Sequence, residues 1–149
     1  MFNPSREQVR QFFCASWRKQ RERLILEGAE ATAAGLIAEH PEYHALLENP
    51  RAAIEQEFPP ERGQTNPFLH LSLHLAIAEQ IGIDQPPGIK AAYAALRRTL
   101  DVHDAEHAVM ECLGETLWRA QSNRTPLDGD AYLDCVRRQG GVSLVRGDA

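Results

Sequence analysis

Apolar residues recur three and four positions apart along most of the chain, and no segment alternates with the period of two that is typical of a strand. Alanine and leucine far outnumber valine, which also favours helices over strands. The pattern therefore predicts an all-α protein, a single irregular bundle of about five to seven helices. We expect one helical domain over residues 1–139 and a loose C-terminal tail over residues 140–149.

Prolines and glycines divide this pattern into segments. The longer predicted helices cover residues 4–22, 27–39, 67–81, 86–100, 102–121 and 130–139. Shorter helical turns are expected over residues 41–48 and after Asn49, because asparagine followed by proline often begins a helix. An irregular connection is predicted over residues 58–65, and the glycine pair at Gly140 and Gly141 is expected to end the last helix.

Two of the predicted helices carry the clearest start signals. Asn3 and Pro4 are expected to cap and begin the first helix, and Asn66 and Pro67 to begin the helix over residues 67–81. The residues expected on the inner face of the first helix are Val9, Phe12, Phe13 and Trp17.

Composition narrows the class of protein. The chain has 149 residues, of which 43% are hydrophobic and 25% charged, as in an ordinary globular domain. The net charge of -5 provides no basic surface for a phosphate backbone, so nucleic acid is not an expected partner. No apolar run approaches the roughly 18 residues of a spanning helix, and none at the start has signal-peptide length. We therefore expect a cytoplasmic protein that does not enter the membrane.

The cysteines support the same compartment. Cys14, Cys112 and Cys135 are odd in number and lack the spacing of a CxxC motif. Free thiols in a reducing compartment are therefore expected, each packed as a small hydrophobic side chain.

The histidines are the most informative residues. All six fall into His-x-x-x-His pairs, which are His40 with His44, His70 with His74, and His103 with His107. Residues four apart on a helix differ by about 40° in direction and lie about 6 Å apart along the axis, so two imidazoles can converge on one cation. The pairs therefore predict a metal site.

The direction of His70 and His74 on their helix can be derived from the sequence. At about 100° per residue, both lie on the side of Ile77 and opposite Ser72 and Glu79, so they are predicted to face the core. A buried imidazole needs a partner for each ring nitrogen, and a metal ion supplies one. Hydrogen bonds within the core are the alternative partner.

A carboxylate extension accompanies the pair nearest the C-terminus. His103, His107, Glu111 and Glu115 follow one another in steps of four, and the pattern His-x-x-x-His-x-x-x-Glu predicts a strip of three ligands. His107 and Glu111 are favoured because Trp118, on their side of the helix, indicates close packing. A solvated polar face is the alternative.

The remaining pair is interrupted by a proline. Pro41 disfavours helical backbone at His40, so His40 and His44 are not expected to share one helix, although His44 falls beside Leu47 on an apolar stripe. Imidazole with carboxylate favours iron or zinc over calcium and magnesium. The complete set of predicted ligands is His70, His74, His107, Glu111, His44, His40, His103 and Glu115.

Several blocks of sequence resemble a known family. They are MFNPSREQVRQFF, EHPEYHALLENP, GQTNPFLHLSLHLAIAEQ, IDQPPGI, HAVMECLGE, and LW with the following Ala120 and Gln121. Together they are similar to a proteobacterial family catalogued as domain of unknown function 1841, over most of the chain to about Arg138. The resemblance implies a soluble bacterial protein of similar fold and brings no activity with it. The ligand chemistry alone resembles hemerythrin and DinB-type helical bundles, in which the motifs follow a different order.

Three functional hypotheses remain open. The first is a metal-binding helical bundle that holds non-haem iron or zinc between helices, with Glu111 or Glu115 as a base if one coordination position is open. The second is a metal-free interaction or scaffold module with structural core histidines and a protein partner or a second copy of the chain. The third is a metal-independent enzyme that uses Cys112 or a histidine–glutamate pair. The sequence assigns no catalytic residue and does not decide whether the protein is an enzyme.

Overall fold

The computed structural model describes residues 5–59 and 66–148, with side chains to residue 140. Within these ranges the backbone forms helices and turns and contains no strand, so the all-α prediction is confirmed. The described ranges contain eight α-helices, slightly more than the five to seven expected, because both short helical turns before residue 56 form helices of their own. None of the described helices combines the length and the apolar character needed to cross a bilayer.

The helices follow the predicted segments closely. They are α1 (Arg6–Arg21), α2 (Ala29–Ala38), α3 (His44–Leu47), α4 (Pro50–Glu55), α5 (Pro67–Ile83), α6 (Ile89–Leu96), α7 (Val102–Asn123) and α8 (Gly129–Asp148). A 3-10 turn over Pro41–Tyr43 precedes α3. The backbone of α8 continues past the expected stop at residues 140 and 141. Side chains are described only to residue 140, so the loose tail expected over residues 140–149 stays a prediction.

Side-chain caps explain where three helices begin. Ser5 caps α1 with a reciprocal pair of bonds, since its hydroxyl accepts from the Gln8 amide and the Gln8 side chain accepts from the Ser5 amide. The predicted cap at residues 3 and 4 lies outside the described residues. Asn49 accepts a hydrogen bond from the Ala52 amide at the start of α4. Asn66 accepts from the first amides of α5, as the sequence predicts.

The chain divides into two compact units, Met1–Leu75 and Ala76–Ala149, and the boundary falls within α5. The expected single domain over residues 1–139 stays a prediction. In the first unit, α1 packs against α2 and α4. The core residues of the first unit include Phe13, Trp17, Ile37, Leu47 and Leu71. Val9 and Phe12 pack at the edge of this core, which confirms the predicted inner face of α1.

In the second unit, α6 and α7 pack against α8. Its buried residues include Ile89, Leu96, Val109, Tyr132 and Val136. A disulfide joins Cys112 on α7 to Cys135 on α8, so the prediction of free thiols is wrong for these two residues. The packing of α7 on α8 brings their Cα atoms to 5.7 Å, a tertiary proximity that spacing along the chain does not reveal. Cys14 is a buried free thiol, as expected, and burial raises its pKa.

Candidate metal centre

Three histidines of the first unit lie together, namely His40, His70 and His74. Each offers a ring nitrogen, and these nitrogens all lie within 4.8 Å of one another. The ring centroids are 5.1 Å apart from His40 to His70, 5.1 Å from His40 to His74 and 4.7 Å from His70 to His74. We call these three residues the histidine cluster.

Helix α5 positions two members of the cluster. His70 and His74 are one helical turn apart, and their Nε2 atoms are separated by 3.2 Å. His74 is only 1% exposed and His70 is half-buried, which confirms that this pair faces the core. Leu71, completely buried on the same helix, holds this part of α5 in the core.

His40 reaches the cluster because the chain leaves the helical conformation at the end of α2. Its φ of -126° and ψ of 69° are non-helical, as the following proline requires. The Nδ1 atom of His40 donates a hydrogen bond to the Leu36 carbonyl at 2.7 Å. Because a carbonyl can only accept, Nδ1 carries the proton and Nε2 carries the lone pair in the neutral ring. The bond therefore orients the ring as outer contacts orient metal-binding histidines.

His44, the sequence partner of His40, has different contacts. Its Nε2 atom lies 2.8 Å from the Ile37 carbonyl, and its ring stacks on Trp17 with centroids 4.3 Å apart. Pro41 begins the 3-10 turn that separates the two histidines, so they do not share one helix, as predicted. The structure does not bring His44 into the histidine cluster.

The other sequence-predicted ligands lie on α7 in the second unit. The rings of His103 and His107 are 4.1 Å apart, with His103 exposed and His107 half-buried. Glu111 is exposed, and Glu115 forms an exposed ion pair with Arg119 at 2.8 Å. The described residues of the second unit contain no group of three or more metal-ligating side chains of their own.

Trp118 does not give the close packing on α7 that its position suggested. Its side chain is 66% exposed, so the inference of a packed face beside His107 and Glu111 is wrong at this point. The apolar face of α7 is formed instead by residues such as Val109 and Leu113, which are buried against the rest of the second unit. An aromatic residue on a helix face therefore did not indicate burial here.

Tyr43 is a neighbour of the cluster that the ligand spacing does not reveal. Its ring is parallel to that of His40 at 5.4 Å and edge-on to that of His70 at 6.1 Å. The 3-10 turn explains the stacking, since side chains three residues apart eclipse one another in this geometry. Burial, and to a smaller extent the Glu42 carboxylate, raises the pKa of Tyr43. Tyr43 thus gives the cluster an aromatic wall.

The spacing within the cluster suits a transition-metal ion. Two nitrogens that each lie about 2.05 Å from one tetrahedral ion are about 3.3 Å apart. The observed separation of 3.2 Å between the Nε2 atoms of His70 and His74 is close to this value. Three imidazoles form a common ligand set for such ions, so the cluster could hold one.

The chain is thus an all-helical protein with a mostly buried histidine cluster in its first unit. A family model described as domain of unknown function (DUF1841) matches residues 5–138, and the chain belongs to this family. No curated protein and no solved structure gives a significant match. The family description assigns no activity.

Proposed function

We propose that this protein binds one iron or zinc ion through His40, His70 and His74. The observation that carries the proposal is the convergence of three ring nitrogens within 4.8 Å of one another in the first unit. His40 and His74 are almost completely buried, so an ion held there is shielded from water. Neutral imidazole nitrogens bind both of these metals, whereas calcium and magnesium prefer oxygen ligands.

The hydrogen bonds around the cluster support metal binding. The Leu36 carbonyl holds the proton of His40 on Nδ1, which leaves Nε2 as the coordinating atom. The contact between the Nε2 atoms of His70 and His74 requires a shared proton when no ion is bound. A cation replaces that proton and coordinates both nitrogens together with the third ring.

Three protein ligands leave room for a further one. In metal sites of three histidines, a fourth position is often open to water or substrate, and a bound water is then activated near neutral pH. The sequence-based prediction that His107 is also a ligand stays a prediction. The predictions for His44, His103, Glu111 and Glu115 likewise stay predictions outside the three-histidine site proposed here, and no reaction or catalytic residue is assigned.

Metal analysis of the untagged full chain, purified from iron- and zinc-replete medium, tests the proposal. We expect about one metal ion per chain, and a loss of most of it in His70→Ala and His74→Ala. His103→Ala is the matched control, because it removes an exposed histidine from the second unit. A wild-type chain that stays folded by circular dichroism and metal-free after incubation with both metals would refute the function.

A metal-free interaction module is the second candidate, and one observation favours it. His40 and His44 both contact carbonyls at the end of α2, as structural histidines do. This candidate predicts no metal in the wild-type chain and binding to a protein partner or to a second copy. The cytoplasmic location also stays a prediction, and the disulfide between Cys112 and Cys135 is the observation that opposes it.

A further inference from the structure

A pocket of about 590 Å³ lies in the first unit, lined by α1, the segment that follows α4, and the start of α5. Its volume is within the range of pockets that take small organic ligands. The residues that matter for its chemistry are Arg6, Arg10, Phe58, Phe68, Leu69 and Ser72. Ser72 points roughly 160° away from His70 and His74 around α5, so this pocket and the histidine cluster are separate sites.

Arg10 is the unusual residue of this pocket, because its side chain is charged and only 3% of the residue is exposed. Its guanidinium carbon lies over the rings of both Phe58 and Phe68, at 5.5 and 4.8 Å from their centroids. A single nitrogen, Nη1, donates to the carbonyls of Ala53, Ile54 and Gln56, near the end of α4. This nitrogen therefore accounts for the structural role of Arg10 in joining α1 to α4.

The rest of the guanidinium group has no such role. Within residues 5–59 and 66–148, no carboxylate forms an ion pair with Arg10, and no protein acceptor contacts its Nε or Nη2 atoms. A buried cation is stabilised by an anion beside it, and a guanidinium edge matches the two oxygens of a carboxylate. Arg10 thus offers a bonding edge in a pocket that has room for a ligand.

The charges and walls of the pocket restrict the class of ligand. Arg6 lines the pocket and pairs with the Glu57 carboxylate at 2.8 Å, so the local charge of Arg6, Arg10 and Glu57 sums to +1. That charge is matched by a monoanion better than by a doubly charged phosphate. Phe68 and Leu69 provide apolar walls. We propose that this pocket binds a small monocarboxylic acid with an apolar body, its carboxylate placed against Arg10.

Titration of the full chain with hexanoate, followed by amide NMR shifts, tests this inference. We expect saturable binding with a dissociation constant below about 10 mM, and the largest amide shifts at residues lining the pocket. Hexanol has the same apolar body without the charge and should bind at least tenfold more weakly, as should inorganic phosphate. Equal binding of hexanol and hexanoate, tighter binding of phosphate, or no saturable shift would each overturn the proposal.

Variants show whether the binding is at this pocket. Arg10→Lys keeps the charge but loses the forked geometry, and it should weaken hexanoate binding at least tenfold. Because Arg10 also supports the fold, Ser72→Leu provides a second test by filling the pocket from α5. Arg6→Gln should weaken binding several-fold, whereas Arg51→Gln, which removes an exposed arginine of α4 outside the pocket, should not. Unchanged affinity in folded Ser72→Leu, or equal effects of the two glutamine variants, would refute the site.

Discussion

At the scale of single residues, the histidines of the first unit differ in which ring nitrogen meets the backbone. His40 uses Nδ1 to contact the Leu36 carbonyl, and this leaves the lone pair of the neutral ring on Nε2. His44 uses Nε2 itself to contact the Ile37 carbonyl, and Trp17 covers its ring. The same residue type is therefore placed for the proposed metal binding at one position and for packing at the other.

Replacement of His44 by phenylalanine separates these two roles. The His44→Phe variant should keep the stacking on Trp17 and lose the hydrogen bond to Ile37, lowering the free energy of unfolding by about 1 kcal/mol. Its metal content should equal that of the wild type. His40→Phe is the matched comparison and should lose most of the metal. Urea unfolding and elemental analysis measure the two effects, and a folded, metal-free His44→Phe would contradict this assignment.

Tyr132 gives a prediction of pH dependence in the second unit. It is fully buried, its hydroxyl donates to the Gln80 side chain at 2.6 Å, and burial raises its pKa to about 12. Below pH 10 the phenol is neutral in the folded and the unfolded chain. Above pH 10 the unfolded chain ionises first, so stability falls as the pH rises towards 12.

The Tyr132→Phe variant should therefore respond less to alkali than the wild type. At pH 8 it should be less stable by about 1 kcal/mol, because the bond to Gln80 is lost. Between pH 10 and 12 the free energy of unfolding should fall more steeply for the wild type, so the two values converge. Urea midpoints at intervals of half a pH unit measure this, and parallel curves for the two proteins would show that Tyr132 does not titrate as expected.

At the scale of helices, local patterns could be predicted from the sequence and tertiary contacts could not. Asn66 begins α5 as expected, and the inward direction of His74 follows from the spacing of apolar residues on one helix. The approach of His40 depends on a turn after Pro41 and on its packing against α5, which no periodicity describes. For the same reason the pairing of Cys112 with a cysteine on another helix could not be predicted from the sequence.

The disulfide between Cys112 and Cys135 should make a measurable contribution to the second unit. It joins residues 23 positions apart in the sequence, and in the chain-entropy description a crosslink of this span stabilises the folded protein by about 3 kcal/mol. Dithiothreitol should therefore lower the urea midpoint of the wild type. Cys14→Ala should respond equally, because Cys14 is a free thiol, whereas a Cys112→Ala, Cys135→Ala double variant should not respond. A reducing agent that leaves the wild type unchanged would show that the bond does not form in solution.

At the scale of the whole molecule, the proposed ion would link segments that are distant in sequence. His40 follows α2, whereas His70 and His74 lie on α5, and the connection between them includes α3, α4 and the residues outside the described part. An ion bound only by the folded chain stabilises it by mass action. Metal binding should therefore be visible in global stability as well as in stoichiometry.

Thermal unfolding with and without metal measures this coupling. Metal-free protein to which free zinc is added at about 100 times the dissociation constant should gain about 2.7 kcal/mol, or of the order of 5–10 °C in the unfolding midpoint. His74→Ala should lose this gain, and His103→Ala should retain it, since the exposed ring of His103 is not in the cluster. His107→Ala tests the sequence-based prediction that His107 is a ligand. If it is, zinc should raise the unfolding midpoint of this variant less than that of the wild type. A single site that includes His74 cannot stabilise a variant without this histidine. Equal midpoint shifts in the wild type and His74→Ala would therefore mean that zinc acts elsewhere on the chain.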